Sequence, residues 1–236
     1  MTLPRQADAP ADPPGDGAFV RVTEIFLSIQ GESTWVGLPC TFVRLTGCPL
    51  RCVWCDTAYA FHGGERLSLD DVMRRVADHG APLVEITGGE PLVQPGAVTL
   101  AHRLLAEGYT VLIETSGALD VSPLDARVHK IMDLKCPGSG EVERNRWSNL
   151  DHLTPRDEVK FVVADEADWV WAGSVIRERG LDERVRGGRL RALLVSPVWD
   201  GPDLEELSAW ILDSGLPVRL QVQLHKLVWG PTRTGV

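Results

Sequence analysis

Cys48, Cys52 and Cys55 stand within the stretch 46–56, TGCPLRCVWCD, with three and then two residues between them. Thiolates are soft ligands, and thiolates grouped this closely select zinc, copper(I) or an iron–sulfur core. Structural zinc and the common ferredoxin centres each take four ligands, whereas this loop offers three. An iron–sulfur cluster on three cysteines keeps one iron open, where a small molecule with neighbouring amine and carboxylate groups can chelate. Two closed arrangements compete with that reading. One is a zinc site completed by Cys136 or a distant histidine, and the other is a four-cysteine cluster completed by Cys136 or Cys40. A strand over residues 41–46 would hold Cys40 roughly 20 Å from the loop. Cys136 follows another apparent strand and stays in play.

Other polar groups gather at the ends of apolar runs. Gln30-Gly31-Glu32-Ser33 closes one run, Gly88-Gly89-Glu90-Pro91 a second, Glu114-Thr115-Ser116-Gly117 a third and Lys135-Cys136-Pro137 a fourth. In the double-glycine turn, the missing side chains permit close backbone approach and free N–H groups would receive a carboxylate, with Glu90 as acceptor for an ammonium group. Gly31 would likewise bring backbone near a ligand, beside the Gln30 amide and the Glu32 carboxylate. Arg44 interrupts an apolar run. It is either paired structurally or reaches for a substrate carboxylate.

The elements that must position these groups follow from periodicity. Strands are expected over 20–29, 41–46, 82–87, 111–114, 128–134, 159–163, 192–195 and 218–222, and helices over 68–79, 97–107, 166–179 and 203–214. Ser68 fits an N-cap, with Asp70 and Asp71 in the first helical turn. Strands alternating with helices predict parallel βαβ units. Polar residues recurring just after strands are the pattern of the active face of a β/α barrel. About six units predict an α/β partial (β/α)6-type barrel rather than a closed eightfold one. Residues 18–236 are expected to form one domain behind a disordered tail, 1–17, rich in Pro, Ala, Asp and Gly.

Composition bounds the partners. An apolar fraction of 44% and a charged fraction of 24% are those of a soluble globular chain. A formal net charge of −9 argues against a nucleic-acid surface. There is no membrane-length apolar run and no disulfide-like cysteine framework, so a reducing, cytoplasmic setting is expected.

The CX3CX2C spacing resembles that of the radical S-adenosylmethionine (SAM) superfamily. The order of SIQGES, the cysteine loop followed by Asp56 and Thr57, ITGGEP, ETSG and the closing QLHKLVWGPTRTGV resembles the 7-carboxy-7-deazaguanine synthase family within it. The resemblance runs from about residue 20 to the last residue. It implies conversion of 6-carboxy-5,6,7,8-tetrahydropterin to 7-carboxy-7-deazaguanine with loss of ammonia, an early step towards queuosine. A [4Fe–4S] cluster, reduced by an external donor such as flavodoxin or ferredoxin, would cleave SAM. The resulting radical would take hydrogen from C6 of the pterin, and SAM would be reformed after ring contraction. A homodimer is implied as well.

Carried over residue by residue, the resemblance puts the cluster on Cys48, Cys52 and Cys55. It puts SAM against Trp54, Gly89, Glu90, Glu114, Ser116 and Lys135. The pterin would meet Ile29, Gln30, Gly31, Arg44, Thr87 and the terminal carboxylate of Val236. Thr57 would bind Mg2+. Read by themselves, Trp54 is equally a core aromatic and Lys135 equally a salt-bridged strand-end lysine. Two positions depart from the family pattern: Ser33 stands where glycine is usual, and Asp133 where serine is common. A glycyl-radical-activating enzyme would share the cluster loop but not the SIQGE turn or the QLHK segment. A non-enzymatic metal-cluster protein is the alternative from a different class.

Overall fold

The computed structural model describes residues 18–236, so the expectation for 1–17 lies outside the described residues. One nine-stranded sheet runs through the molecule in the order β3-β1-β2-β4-β5-β6-β7-β8-β9. β1 (Phe19–Ile29) pairs antiparallel with β2 (Pro39–Leu45) and with the edge strand β3 (Glu65–Ser68). From β2 onward every pairing is parallel, through β4 (Leu83–Gly88), β5 (Thr110–Thr115), β6 (His129–Asp133), β7 (Glu158–Val163), β8 (Ala192–Pro197) and β9 (Val218–Leu220). This is the open, partial barrel that the strand–helix alternation predicts.

Period-two alternation gives the parallel strands two chemically different faces. Val43 and Leu45, Val84 and Ile86, and Val111 and Ile113 are fully buried under α1 (Leu69–His79) and α2 (Pro95–Ala106). Further along, Met132, Val159, Phe161, Leu193 and Val195 pack against α3 (Glu166–Glu178), α4 (Leu181–Arg186) and α5 (Leu204–Ser214). The intervening residues face the other way: Arg44, Glu85, Thr87, Glu114, Asp133 and Lys160 all line one cavity. Below them Phe26, Cys40, Phe42, Leu83, Leu112 and Ile131 form a small apolar floor.

Local chemistry explains the helix ends. Ser68 caps α1 by accepting from the Asp71 amide, and Gly80 ends the helix in the left-handed region. Asp165 and Asp203 cap α3 and α5 in the same way. Four of the six crossovers between parallel strands carry α-helices; the other two do not. The β5–β6 link is irregular. The β6–β7 link consists of three short 3-10 turns, Pro137–Ser139, Val142–Arg144 and Trp147–His152. These turns have another use: Ser139 O accepts from Val53 N (3.1 Å) and Glu141 Oε1 from Arg51 N (2.5 Å), so the link clamps the cysteine loop.

Sequence periodicity did not resolve β3, α4 or α6 (Leu224–Trp229), each six residues or shorter. In the turn after β1, Ser33 adopts φ 61, the left-handed region that favours glycine. The backbone of the usual glycine turn is therefore kept, and the serine compensates by accepting from Trp35 N at 3.1 Å.

Candidate active site

A cavity of about 630 Å3 opens at the C-terminal ends of β2 and β4–β8, the position where open α/β sheets hold their ligands. Its wall includes fifteen of the sixteen residues assigned by sequence: Ile29, Gln30, Gly31, Arg44, Cys48, Cys52, Trp54, Cys55, Thr57, Thr87, Gly89, Glu114, Ser116, Lys135 and Val236. Glu90 is absent from that wall.

The cysteine loop leaves β2 and is anchored at several points. Leu50 is buried, the Arg51 guanidinium donates to Cys48 O (2.8 Å) and stacks on Phe61, and Cys55 N donates to Cys52 O (3.2 Å). All three thiols stay partly exposed. Burial pushes the Cys48 and Cys52 thiols above their usual range, so bound iron would have to favour their thiolates. Cys136 and Cys40 are fully buried in apolar clusters away from the cavity wall, which removes both as fourth ligands. Among the described residues no three His, Cys, Asp or Glu side chains gather tightly enough to hold a single ion. Three partly exposed thiols on the cavity wall, with no fourth thiol beside them among the described residues, fit a cluster that keeps one iron open.

The double-glycine turn works differently from the sequence expectation. Gly88 has φ 146, and a Cβ there would strike Leu45 O; one at Gly89 would strike Gly47 O and Cys48 Cβ. The glycines thus let β4 pack directly against the cysteine loop. Their N–H groups are not all free for a ligand: Gly89 N donates to Leu45 O (3.3 Å) and Glu90 N to Gly47 O (2.8 Å). Glu90 is a correction too. Its carboxylate is wholly buried and accepts from Leu92 N (3.0 Å), Thr115 Oγ1 (3.0 Å), Ser116 N (2.6 Å) and Ser116 Oγ (2.5 Å). Four donors consume it, so it orients Ser116 on the wall instead of meeting an ammonium itself.

Lys135 is ion-paired with Asp133 at 2.7 Å, and the other carboxylate oxygen, Asp133 Oδ1, is buried without a hydrogen-bond partner among the described residues. An unpaired acceptor with no accessible surface is a local cost of the aspartate at this position and is not itself open to the cavity. The serine-to-aspartate departure therefore supplies Lys135 with its ion-pair partner. Trp54 belongs to none of the apolar clusters and stands partly exposed on the cavity, which removes its core-packing reading.

Deeper in, the polar face becomes a charge network. Arg44 Nε donates to Glu24 Oε1 at 2.7 Å, which Tyr59 also contacts at 2.8 Å. An irregularity in β1 between Val22 and Glu24 sets Glu24 opposite Arg44. Burial, followed by that Glu24 contact, carries Tyr59 up to about 12 despite the opposing Arg44 charge. The Arg44 Nη groups make no hydrogen bond among the described residues, so the guanidinium is both paired and available. The structural pairing of Arg44 is present, and its Nη groups are left over beside the cavity. Gln30 is committed at both ends of its amide, donating to Glu85 and accepting from Glu32 N (2.8 Å). A Cβ on Gly31 would run into the His225 ring, so the glycine admits the closing segment beside it while its backbone stays on the cavity wall.

Several cavity residues escaped the sequence reading: Glu85, Lys160, Asp56, Gln223, His225 and Lys226. Lys160 sits between Glu32 (2.6 Å) and Glu114 (2.5 Å). Glu85 is pushed well above the carboxylate range by burial and by the Glu114 and Glu32 charges. Asp56 pairs with Lys226 of α6 at 2.5 Å; against the cost of burial, that ammonium brings it down to about 2. The missed signal was the inward parity of the strands, since Glu85 lies in phase with Thr87 on β4 and Lys160 is the strand partner of Asp133.

A cysteine triad at the open end of a parallel sheet, above a polar cavity, defines a radical SAM-type centre. The Radical SAM superfamily model matches residues 42–182. A 7-carboxy-7-deazaguanine synthase from Koribacter versatilis is 44% identical, covering 92% of this chain and 100% of its own length. One from Chlorobaculum tepidum is 43% identical over 93% and 98%. The crystal structure of QueE from Escherichia coli superposes with a TM-score of 0.62 at 25% identity, covering 88% of this chain and 95% of that one. The chain belongs to the radical SAM superfamily and, within it, to the 7-carboxy-7-deazaguanine synthase family.

Proposed function

We propose that this chain converts 6-carboxy-5,6,7,8-tetrahydropterin to 7-carboxy-7-deazaguanine, with Cys48, Cys52 and Cys55 holding a [4Fe–4S] cluster and SAM completing its open iron. The observation that carries the reading is one cavity that gathers the three thiols at its rim and Arg44 deeper in, in a chain 44% identical to a relative of that name. Cluster and SAM together supply radical hydrogen-atom abstraction; the chain supplies position and a defined set of charges. Ser116, Lys135, Trp54 and Gly89 face SAM. Glu114, on β5 two residues before Ser116, pairs with Lys160, and we assign it to the substrate side of the cavity. Arg44 meets the substrate carboxylate through its unpaired Nη groups, with Thr87 beside it in register and Ile29 and Val236 on the same wall.

Thr57 Oγ1 stands 2.9 Å from Asp56 Oδ1, a pair of hard oxygens on the wall that fits Mg2+ with water and substrate in the rest of its shell. Thr57→Ala is expected to raise the Mg2+ concentration needed for half-maximal turnover several-fold. An unchanged Mg2+ titration removes the assignment. No helix among the described residues is long and apolar enough to cross a membrane. We place the enzyme in the cytoplasm, as a homodimer served by a flavodoxin- or ferredoxin-type donor.

The test is anaerobic reconstitution with iron and sulfide, then incubation with SAM, reductant, Mg2+ and 6-carboxytetrahydropterin. The expected product is 7-carboxy-7-deazaguanine, identified by mass. SAM cleavage without it would sink the substrate assignment.

A further inference from the structure

We propose that Lys160 is a positioning residue that orients the Glu32 and Glu114 carboxylates, which converge from two sides on the substrate end of the cavity. This rests on the reading of the reaction given above.

Lys160 projects from β7 and is 4% exposed. Its ammonium spans β6 to reach Glu114 of β5 at 2.5 Å, and reaches Glu32 of the β1–β2 turn at 2.6 Å. Glu32 Oε1 in turn accepts from Gln223 Nε2 at 2.9 Å, on the segment that enters α6. One lysine therefore ties together four separate parts of the chain at the cavity wall. Glu114 keeps Oε2 without a hydrogen bond among the described residues, and its side chain is 28% exposed. A carboxylate fixed through one oxygen, with the other free, suits the ring N–H donors of a reduced pterin.

A second buried lysine supplies the contrast. Lys130 pairs with Asp157 at 3.0 Å, but neither lines the cavity. Asp157 is further consumed by Lys130 N (2.8 Å), Thr154 N (2.7 Å) and Thr154 Oγ1 (2.9 Å). That pair closes on itself; the Lys160 group leaves an acceptor open to the cavity.

The acidic groups facing Lys160 are Glu32 from the turn, Glu114 from β5, Asp133 from β6, Glu85 from β4 and Asp56 from the cysteine loop. Arg44, Lys135 and His225 are the neighbouring basic side chains. Burial raises both Glu32 and Glu114, and the Lys160 charge opposes it, bringing Glu32 below its ordinary value and leaving Glu114 above. Without the ammonium both carboxylates rise, so they ionise only at higher pH.

The experiment is steady-state turnover of the reconstituted holoenzyme against pH for wild type, Lys160→Met and Lys160→Arg, with iron content and SAM affinity measured alongside. Lys160→Met is expected to raise KM for the pterin about 10–100-fold, the worth of charge-assisted hydrogen bonds. It should also move the acid limb of kcat/KM to higher pH, with iron content and SAM affinity unchanged. Lys160→Arg keeps the charge and is expected to hold the acid limb at its wild-type position, with a smaller rise in KM. Should the methionine variant fail to fold, the arginine variant still decides: an acid limb displaced despite the retained charge overturns the proposal. Unchanged KM and pH profile in the methionine variant overturn it too, as does a matching loss of iron or SAM affinity. A wild-type enzyme that cleaves SAM but yields no deazaguanine overturns the underlying reading, and the proposal with it.

Discussion

Cys55→Ala is expected to abolish SAM cleavage and product formation. The loss should exceed about 100-fold, the upper range for removing merely an outer partner of a metal site. Cys55 borders the cavity with its thiol partly exposed, and no other thiol can replace it. Cys136 and Cys40 are buried away from the cavity, and burial pushes both thiols far above the usual cysteine range. Cys136→Ala and Cys40→Ala should therefore leave turnover intact and cost only packing, about 1–2 kcal/mol each. Iron content, the reduced-cluster spectrum and 5′-deoxyadenosine yield measure all three variants. Loss of iron from Cys136→Ala equal to that from Cys55→Ala would restore the closed, four-cysteine centre.

Glu90→Ala should give the second large effect, chiefly on stability. Removing this wholly buried carboxylate leaves the Leu92 and Ser116 amides and the Thr115 and Ser116 hydroxyls without their acceptor. Unsatisfied buried donors cost about 1–3 kcal/mol each before relaxation, so a total of at least 3 kcal/mol is expected. For a chain of this size that lowers Tm by roughly 6–12 °C. SAM affinity should fall as well, because Ser116 loses its orientation, and Glu90→Gln should recover part of both. Thermal unfolding and SAM titration decide between roles. A variant with unchanged Tm but no SAM binding would make Glu90 a direct ligand after all.

The cysteine loop, the strand-end turns and the parallel sheet were legible because each is written locally. Ligand spacing within eight residues, glycine pairs after apolar runs and alternating periods do not depend on what the rest of the chain does. Arg44 was legible as a charge in an apolar strand, and its two readings stood level until Glu24 appeared beside it with the Nη groups left over. Ser33 was visible as a departure; that it keeps φ 61 was not.

What the sequence alone determined is the chemistry on offer: three thiols for a cluster, polar strand ends facing one way, and a family whose motifs occur in this order. Only the tertiary structure decided which groups are spent inside the protein and which remain for a ligand. Glu90, Gln30 and Gly31 carry the right chemistry by type. Their donors, acceptors or space are taken by Ser116, Glu85 and His225, residues 26, 55 and 194 positions away. Lys160 and Glu85 read as ordinary strand residues until the sheet set them on the cavity beside Glu114. Hydrogen-bond capacity and charge are properties of an environment, and contacts between distant strands create that environment.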